Sequence, residues 1–309
     1  FSDPIAIPLD AKRFDQHTDR PQLSFEQAVY CLFFNGTDLD RLRTLLSWQL
    51  KNKCKSFMPD GILSFVMSKR CSGDMNTGLG TVLIACSILH SFCVEYDITY
   101  RLANNGDDCV LLVERTELDV LKKWLFPYCK TAGYWFVIEE YVDVFEQIDF
   151  CQTRPVLTKR GWTMVRNFPD CISKDCVSLL PLNDETKWLK WANDIGKAGM
   201  ALNAGVPITY SFYKTLARLG SGSFGDHSLN VGSGMWYLAK GLETDELPVT
   251  DEARISFWEA FGYPPDYQRC VEERILNTMI DFKHSREGYN YSQILDKLKH
   301  NLYNSLFDY

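Results

Sequence analysis

A continuous apolar run, Ile5-Ala6-Ile7-Pro8-Leu9, ends on Asp10 and predicts a short buried strand closed by a carboxylate. Pro8 cannot donate to a ladder, which points to a sheet edge or a bulge at that position. Two helical stretches follow, about Pro21 to Phe34 and Leu39 to Lys51. Cys54 to Phe57 and Ile62 to Met67 flank Pro59-Asp60-Gly61 and predict a β-hairpin. Ser72-Gly73-Asp74 opens a long helix from about Met75 to Glu95, with Asp74 or Ser72 as its cap. Ile98 to Ala103 and Cys109 to Glu114 surround Asn104-Asn105-Gly106-Asp107-Asp108, and Asn-Gly between two strands is a strong hairpin signal. A helix over Glu117 to Thr131 ends at Gly133, and Tyr134 to Glu139 is a further strand. Phe145 to Gln152 and Val156 to Thr158 read as one more hairpin around Pro155.

This order predicts an α+β fold, an antiparallel sheet with helices on one face. The pattern changes near Pro169. Asn183 to Asn203, Ile208 to Leu219, Thr250 to Phe261, Asp266 to Phe282 and Ser292 to Phe307 all read as helices. Gly220-Ser221-Gly222-Ser223-Phe224-Gly225 is a flexible loop within this second half. The expected division is 1–169 and 170–309. No internal repeat or low-complexity segment is visible.

Composition adds bounds. A chain of 309 residues is long enough to bury a sizeable core without disulfides or structural metal. The 11 cysteines are scattered, with no Cys-x-x-Cys, which favours reduced thiols in a cytosolic compartment over a disulfide scaffold or zinc site. No secretory signal opens the chain. The longest apolar run, Leu79 to Phe92, contains His90, is too short to span a bilayer and suits a buried helix. The net charge of −7 is unusual for a protein that handles nucleic acid. Because Phe1 is not methionine and a strand begins almost at once, the chain is expected to be a fragment whose basic part lies elsewhere.

The carboxylates carry the candidate chemistry. Nucleotidyl transfer uses two divalent ions about 3.5–4 Å apart. Mg²⁺ takes hard oxygen ligands, and one or two carboxylates plus substrate phosphates suffice. Asp10 closes a strand and Asp107 and Asp108 sit in a hairpin turn, and the three converge if that strand pairs beside the hairpin. Gly-Asp-Asp alone is also ordinary turn chemistry. Asp15 would overlie the same pocket and accept a ribose hydroxyl, the group that distinguishes RNA from DNA precursors. Lys12 and Arg13 can meet triphosphate oxygens or form a solvated pair. Ser72-Gly73-Asp74-Met75-Asn76-Thr77-Gly78 is a small-residue loop at a helix N-terminus, where Ser72 and Thr77 can bond a ribose or cap the helix.

Four segments together resemble motifs A, B, C and E of plus-strand RNA virus polymerases, most closely the tombusvirus-like group. They are Asp-Ala-Lys-Arg-Phe-Asp-Gln-His, Ser-Gly-Asp-Met-Asn-Thr-Gly-Leu-Gly, Asn-Gly-Asp-Asp-Cys-Val and Ile-Asp-Phe-Cys-Gln-Thr-Arg-Pro-Val, in that order over about Asp10 to Val156. Gly199 to Leu219, with Gly205-Val206-Pro207 and Phe212-Tyr213, resembles the group's thumb more loosely. The resemblance implies a right-hand polymerase palm, with part of the fingers, followed by a mostly helical thumb. It implies Asp10, Asp107 and Asp108 as ligands of two Mg²⁺ or Mn²⁺ ions, with Asp107 the principal ligand of its motif. It further implies Asp15, Ser72 and Thr77 as ribose sensors, Gly73 as the pivot of the motif B loop, and Phe150, Cys151 and Gln152 as a grip on the primer strand.

The chain departs from that pattern in three places. Thr81 stands where the family commonly has asparagine, so a hydroxyl replaces an amide toward the ribose. In Gly133-Tyr134-Trp135-Phe136-Val137-Ile138-Glu139, Val137 stands where a general-acid lysine is expected, and Lys130 is only nearby. The basic fingers motifs that precede motif A are largely absent. The expected partners are an RNA template, nascent RNA, NTPs and an upstream fingers segment of the same polyprotein or readthrough product. The expected setting is the host cytoplasm, in a membrane-associated replication complex, with no transmembrane segment in the chain itself. The rival readings are a reverse transcriptase, which Asp15, Ser72 and Thr77 oppose, and a non-catalytic RNA-binding scaffold that kept the palm.

Overall fold

A computed structural model describes residues 1–138, 140–178, 182, 184–223, 234–242, 246–279 and 282. Its packing divides the chain into two compact units, Phe1–Arg154 and Pro155–Tyr309. The division falls upstream of Pro169, where the sequence pattern changes.

The first unit begins with β1 (Pro4–Ala11), α1 (Phe14–His17), α2 (Arg20–Cys31) and α3 (Gly36–Gln49). A hairpin of β2 (Asn52–Met58) and β3 (Gly61–Met67) precedes the long α4 (Thr77–Glu95). A second hairpin, β4 (Tyr100–Asn105) and β5 (Asp108–Glu114), leads to α5 (Leu118–Thr131) and β6 (Phe136–Ile138). The main sheet has the order β4-β5-β1-β6, and β1 runs antiparallel to both neighbours. Odd-numbered residues of β1 and β5 (Ile5, Ile7, Leu9, Cys109, Leu111, Val113) point into one core with Ile84, Leu89 and Phe92 of α4 and Leu121 and Leu125 of α5. That period of two is what buries one sheet face against two helices.

Four expectations change. Pro8 lies inside the sheet, not at its edge. It pairs with Val110 on one side, while on the other the ladder is interrupted between the Ala6–Val142 bridge and the Leu9–Ile138 pair. The missing N–H faces that interruption, so no ladder bond is lost. The α4 N-cap is Asn76 rather than Asp74 or Ser72, and no side chain caps the helix. The expected strand over Phe145 to Gln152 is instead a single 3₁₀ turn at Phe145–Gln147 and a tight Phe150–Thr153 bridge. The hairpin there is formed one step later, by β7 (Arg154–Thr158) and β8 (Gly161–Val165). Finally, α4 has 19 residues and a mean hydropathy of 1.7, which is long and apolar enough to cross a bilayer by length and composition. Within this fold its inner face is buried against the sheet, with Ala85, Leu89 and Phe92 fully covered. No other helix among the described residues meets that criterion.

The second unit holds α6 (Phe168–Asp175), α7 (Glu185–Leu202), α8 (Thr209–Leu219), α9 (Met235–Ala239), α10 (Asp251–Phe261) and α11 (Pro265–Leu276). Sequence reading missed α6 and α9, which are short. The helix expected over Ser292 to Phe307 lies outside the described residues. Asp184 and Thr250 cap α7 and α10, accepting from Lys187 N at 2.8 Å and Ala253 N at 3.1 Å. Two glycines let α7 and α8 approach closely. A Cβ at Gly196 would fall on the Ala217 backbone, and one at Gly199 on the Tyr213 ring. Tyr213 also donates its hydroxyl to Asp175 at 2.6 Å, and burial pushes its pKa up.

Candidate functional site

The centre of the site is a two-residue turn. Gly106 and Asp107 join β4 to β5, and Gly106 at φ +90° supplies the backbone conformation that an L side chain rarely adopts. Asn104 pins the turn from inside. Its Oδ1 accepts from Gly106 N at 3.0 Å, and its Nδ2 donates to Cys109 Sγ at 2.7 Å. Asp107 is therefore held exposed at the tip. Asp108 is not in the turn, as the sequence suggested, but is the first residue of β5.

The pairing of β1 with β5 puts Asp10 directly opposite Asp108. Ala11 N donates to Asp107 O at 3.2 Å, which ties the end of β1 to the turn itself. Three carboxylates thus meet at one end of the sheet. Burial, and then the negative charges of Asp107, Asp10 and Asp149, hold the Asp108 carboxyl above its ordinary value. Like charges around a partly buried carboxylate are unfavourable without a counter-ion.

Beside the turn lies a cleft of about 370 Å³ lined by Arg13, Asp15, Ser72, Thr77, Thr81 and Asp107, among others. Ser72 donates its hydroxyl to Asp15. Thr77 donates to Cys71 O at 3.0 Å and Thr81 to Thr77 O. Both threonines therefore face a ligand as acceptors only, and a ribose hydroxyl would donate to them. The Thr81 methyl also lies against Gly106, with 3.3 Å between it and a Cβ built there. Arg13 sits at φ +52° at the start of α1, and its carbonyl accepts from His17 Nδ1 at 2.9 Å. Lys12 and Gly73 are exposed near the cleft but are not among the residues that line it.

Cys151 and Gln152 have φ of +55° and +59° in the Phe150–Thr153 bridge. Asn105 donates to Cys151 Sγ at 3.2 Å, which ties this bridge to the end of β4 beside the Gly106–Asp107 turn. Asn104, Asn105 and Asp149 were not singled out from sequence as site residues. The Asn-Asn-Gly run was the available signal, but it reads as turn chemistry until the tertiary neighbours are known. Among the described residues, no three His, Cys, Asp or Glu side chains form a ready-made cage for an ion. The arrangement instead offers hard oxygen donors on one open edge, which fits an ion completed by water and phosphate oxygens.

An acidic turn at the end of an antiparallel sheet thus stands beside a cleft that holds a carboxylate–hydroxyl pair. The chain belongs to the viral RNA-dependent RNA polymerase family, whose model matches residues 1–283. It is 36% identical over 290 residues to the RNA-directed RNA polymerase of Maize chlorotic mottle virus, covering 93% of this chain and 30% of that protein. It is 38% identical over 287 residues to that of Tobacco necrosis virus (strain D), covering 88% and 38%. It is 38% identical over 296 residues to that of Tomato bushy stunt virus (strain Cherry), covering 91% and 34%. The chain thus spans about a third of the length of the curated relatives it matches. The tombusvirus-like resemblance read from the motifs is borne out.

Proposed function

We propose that this chain carries the catalytic centre of a viral RNA-directed RNA polymerase, which adds NTPs to an RNA 3′-hydroxyl on an RNA template. The observation that carries this reading is the Asp10–Asp108 cross-strand pair, with Asp107 at the adjoining turn, beside a cleft containing Asp15 and Ser72. The first unit corresponds to the palm with part of the fingers, and the second to the thumb.

Asp10, Asp107 and Asp108 would hold two Mg²⁺ or Mn²⁺ ions. When bound, such ions acidify the attacking hydroxyl and offset charge on the leaving pyrophosphate. Arg13, with Lys12 nearby, meets the triphosphate. Asp15 and Ser72 take the ribose 2′-hydroxyl, and Thr77 and Thr81 add acceptors on the same wall. The Phe150–Gln152 bridge holds the primer end near the turn. These residues contribute positioning, the larger part of what a polymerase site supplies beyond its ions. Val137 pairs with Asp10, so no lysine from that strand reaches the centre, and Lys130 is exposed.

The working partners are template, nascent RNA and an upstream segment of a longer polymerase, in a membrane-associated complex of the host cytoplasm. The test is NTP incorporation on an RNA template by a polymerase of the relatives' length carrying this chain, beside its Asp107→Ala variant. Incorporation lost in the variant supports the reading. Equal incorporation by both refutes the assignment of the turn. A folded, RNA-binding but inactive wild type points to a scaffold.

A further inference from the structure

The loop that carries Ser72 is fixed at both feet by one carboxylate from another element. Arg70 precedes the loop and Asn76 follows it. Glu26 of α2 reaches both, with Oε2 in an ion pair with Arg70 and Oε1 accepting from Asn76 Nδ2 at 2.9 Å. The Glu26 and Arg70 side chains are 0% and 1% exposed. Gln49 of α3 braces the second foot, donating to Asn76 Oδ1 at 2.7 Å. Gly80, in the first turns of α4, lies directly on the pair, where a Cβ would strike both the carboxylate and the guanidinium.

The arch between the feet is open. Ser72 and Gly73 are exposed, nothing lies within 4 Å of a Cβ built on Gly73, and Met75 is fully solvent-exposed. The bonds within the loop are local, Asp74 N to Cys71 O and Thr77 Oγ1 to Cys71 O, so the feet decide where Ser72 meets Asp15. Stability is a weak explanation for such a pair. A buried ion pair is commonly matched or exceeded by apolar residues of the same volume. Arg70 Nη1 is in addition buried without a hydrogen-bond partner among the described residues.

We propose that Glu26 is a positioning residue, stapling both ends of loop 71–75 and thereby setting the Ser72–Asp15 contact that selects the sugar of the incoming nucleotide. The sugar-selection part rests on the polymerase reading above; the staple itself does not. Glu26 touches no substrate and acts through the loop.

Two readouts separate these parts. The first is hydrogen exchange in this chain at the Asp74 and Thr77 amides, which donate to Cys71 O and Asp74 O. The second is ATP-against-dATP selectivity in a polymerase of the relatives' length carrying the chain. Glu26→Gln is expected to speed exchange at both amides by about tenfold or more, with β1 and β5 unchanged. It is expected to lower ATP/dATP selectivity severalfold, through the KM for ATP more than kcat. A Glu26→Met/Arg70→Met double variant keeps the buried volume without charge, and covers the case in which Glu26→Gln does not fold. It should unfold near the wild-type midpoint yet show the same loop exchange and the same lost selectivity. Wild-type exchange in the folded double variant would overturn the staple. Faster exchange with unchanged selectivity would overturn the link to the sugar. If the wild-type polymerase incorporates nothing, the polymerase reading fails, and the exchange arm still decides the staple.

Discussion

Replacing Asp108 with asparagine should make the metal-free protein more stable and the metal-loaded comparison less so. Asp10 and Asp108 are direct cross-strand partners, and Asp107 adjoins them. Facing Cβ atoms in an antiparallel pair lie about 5 Å apart, and like charges there oppose pairing by roughly 0.2–1 kcal/mol. Coulomb's law brackets this, with about 0.8 kcal/mol at a water-like dielectric and about 3 kcal/mol at an effective value of 20. Asp10 is exposed, which selects the lower end. Asp108→Asn should therefore raise stability by about 0.5–1 kcal/mol in EDTA at low ionic strength, and less in high salt. A divalent ion at 100 times its Kd stabilises a binding protein by about 2.7 kcal/mol. The wild type should gain that increment and the variant much less, so the order of the two proteins reverses on adding Mg²⁺. Urea unfolding with and without Mg²⁺ measures both differences. A variant less stable than wild type in EDTA, or an equal Mg²⁺ increment in both, would refute the convergence of the three carboxylates.

Other consequences concern the scaffold. Gly196→Ala should destabilise the second unit by about 2 kcal/mol, because its Cβ would fall on Ala217 N, backbone that cannot swing aside, which puts overpacking at the upper end of about 3 kcal/mol against about 1 kcal/mol of helix propensity gained. A neutral or stabilised variant in chemical denaturation would disprove the close approach of α7 and α8. Glu272→Ala should cost about 3–5 kcal/mol, since it leaves Arg254 buried and unpaired. Glu272 now accepts from Arg254 Nη1 at 3.0 Å and Nη2 at 2.9 Å, and from Ile208 N at 2.9 Å, where Ile208 sits at φ +61°. Glu272→Gln should cost less in the same unfolding assay. Glu114 accepts from the Asp3 and Ser2 amides, and those bonds hold its carboxyl below the usual range. That anchoring is present above the ordinary carboxylate pKa and is lost as pH falls through the depressed value. The protection of the Ser2 and Asp3 amides, taken as exchange relative to the intrinsic rate at the same pH, should therefore fall over that acid window, and Glu114→Gln should remove that loss of protection.

What could be read from the chain alone is what short-range chemistry decides. Asn105-Gly106 marked the turn because a hairpin of this kind needs a residue free to adopt positive φ. The apolar periods of α4, α5, α7, α8 and α10 marked helices, because a helix face three or four residues apart in sequence is a face in space. The motif order around Asp10, Ser72 and Asp107 marked the candidate site, since side-chain type and spacing are sequence properties.

The pairings made across long stretches of chain belong to the tertiary structure. Pro8 reads as an edge or bulge residue, and only β6 and Val142 show that its side of an inner ladder is left open. The strand expected at Phe145 to Gln152 dissolved because Cys151 and Gln152 take positive φ, a backbone choice that residue type does not announce. Asp108 moved from turn to strand because it pairs with Asn105 across the two-residue turn and with Asp10, far back in the sequence. The Glu26–Arg70–Asn76 staple left no trace in any local window, because buried charge is revealed only by what surrounds it. Sequence by itself determined which residues can do the chemistry and which segments are regular. Tertiary structure alone decided which carboxylates face one another and what holds the loop beside them, because those contacts join residues that no local pattern relates.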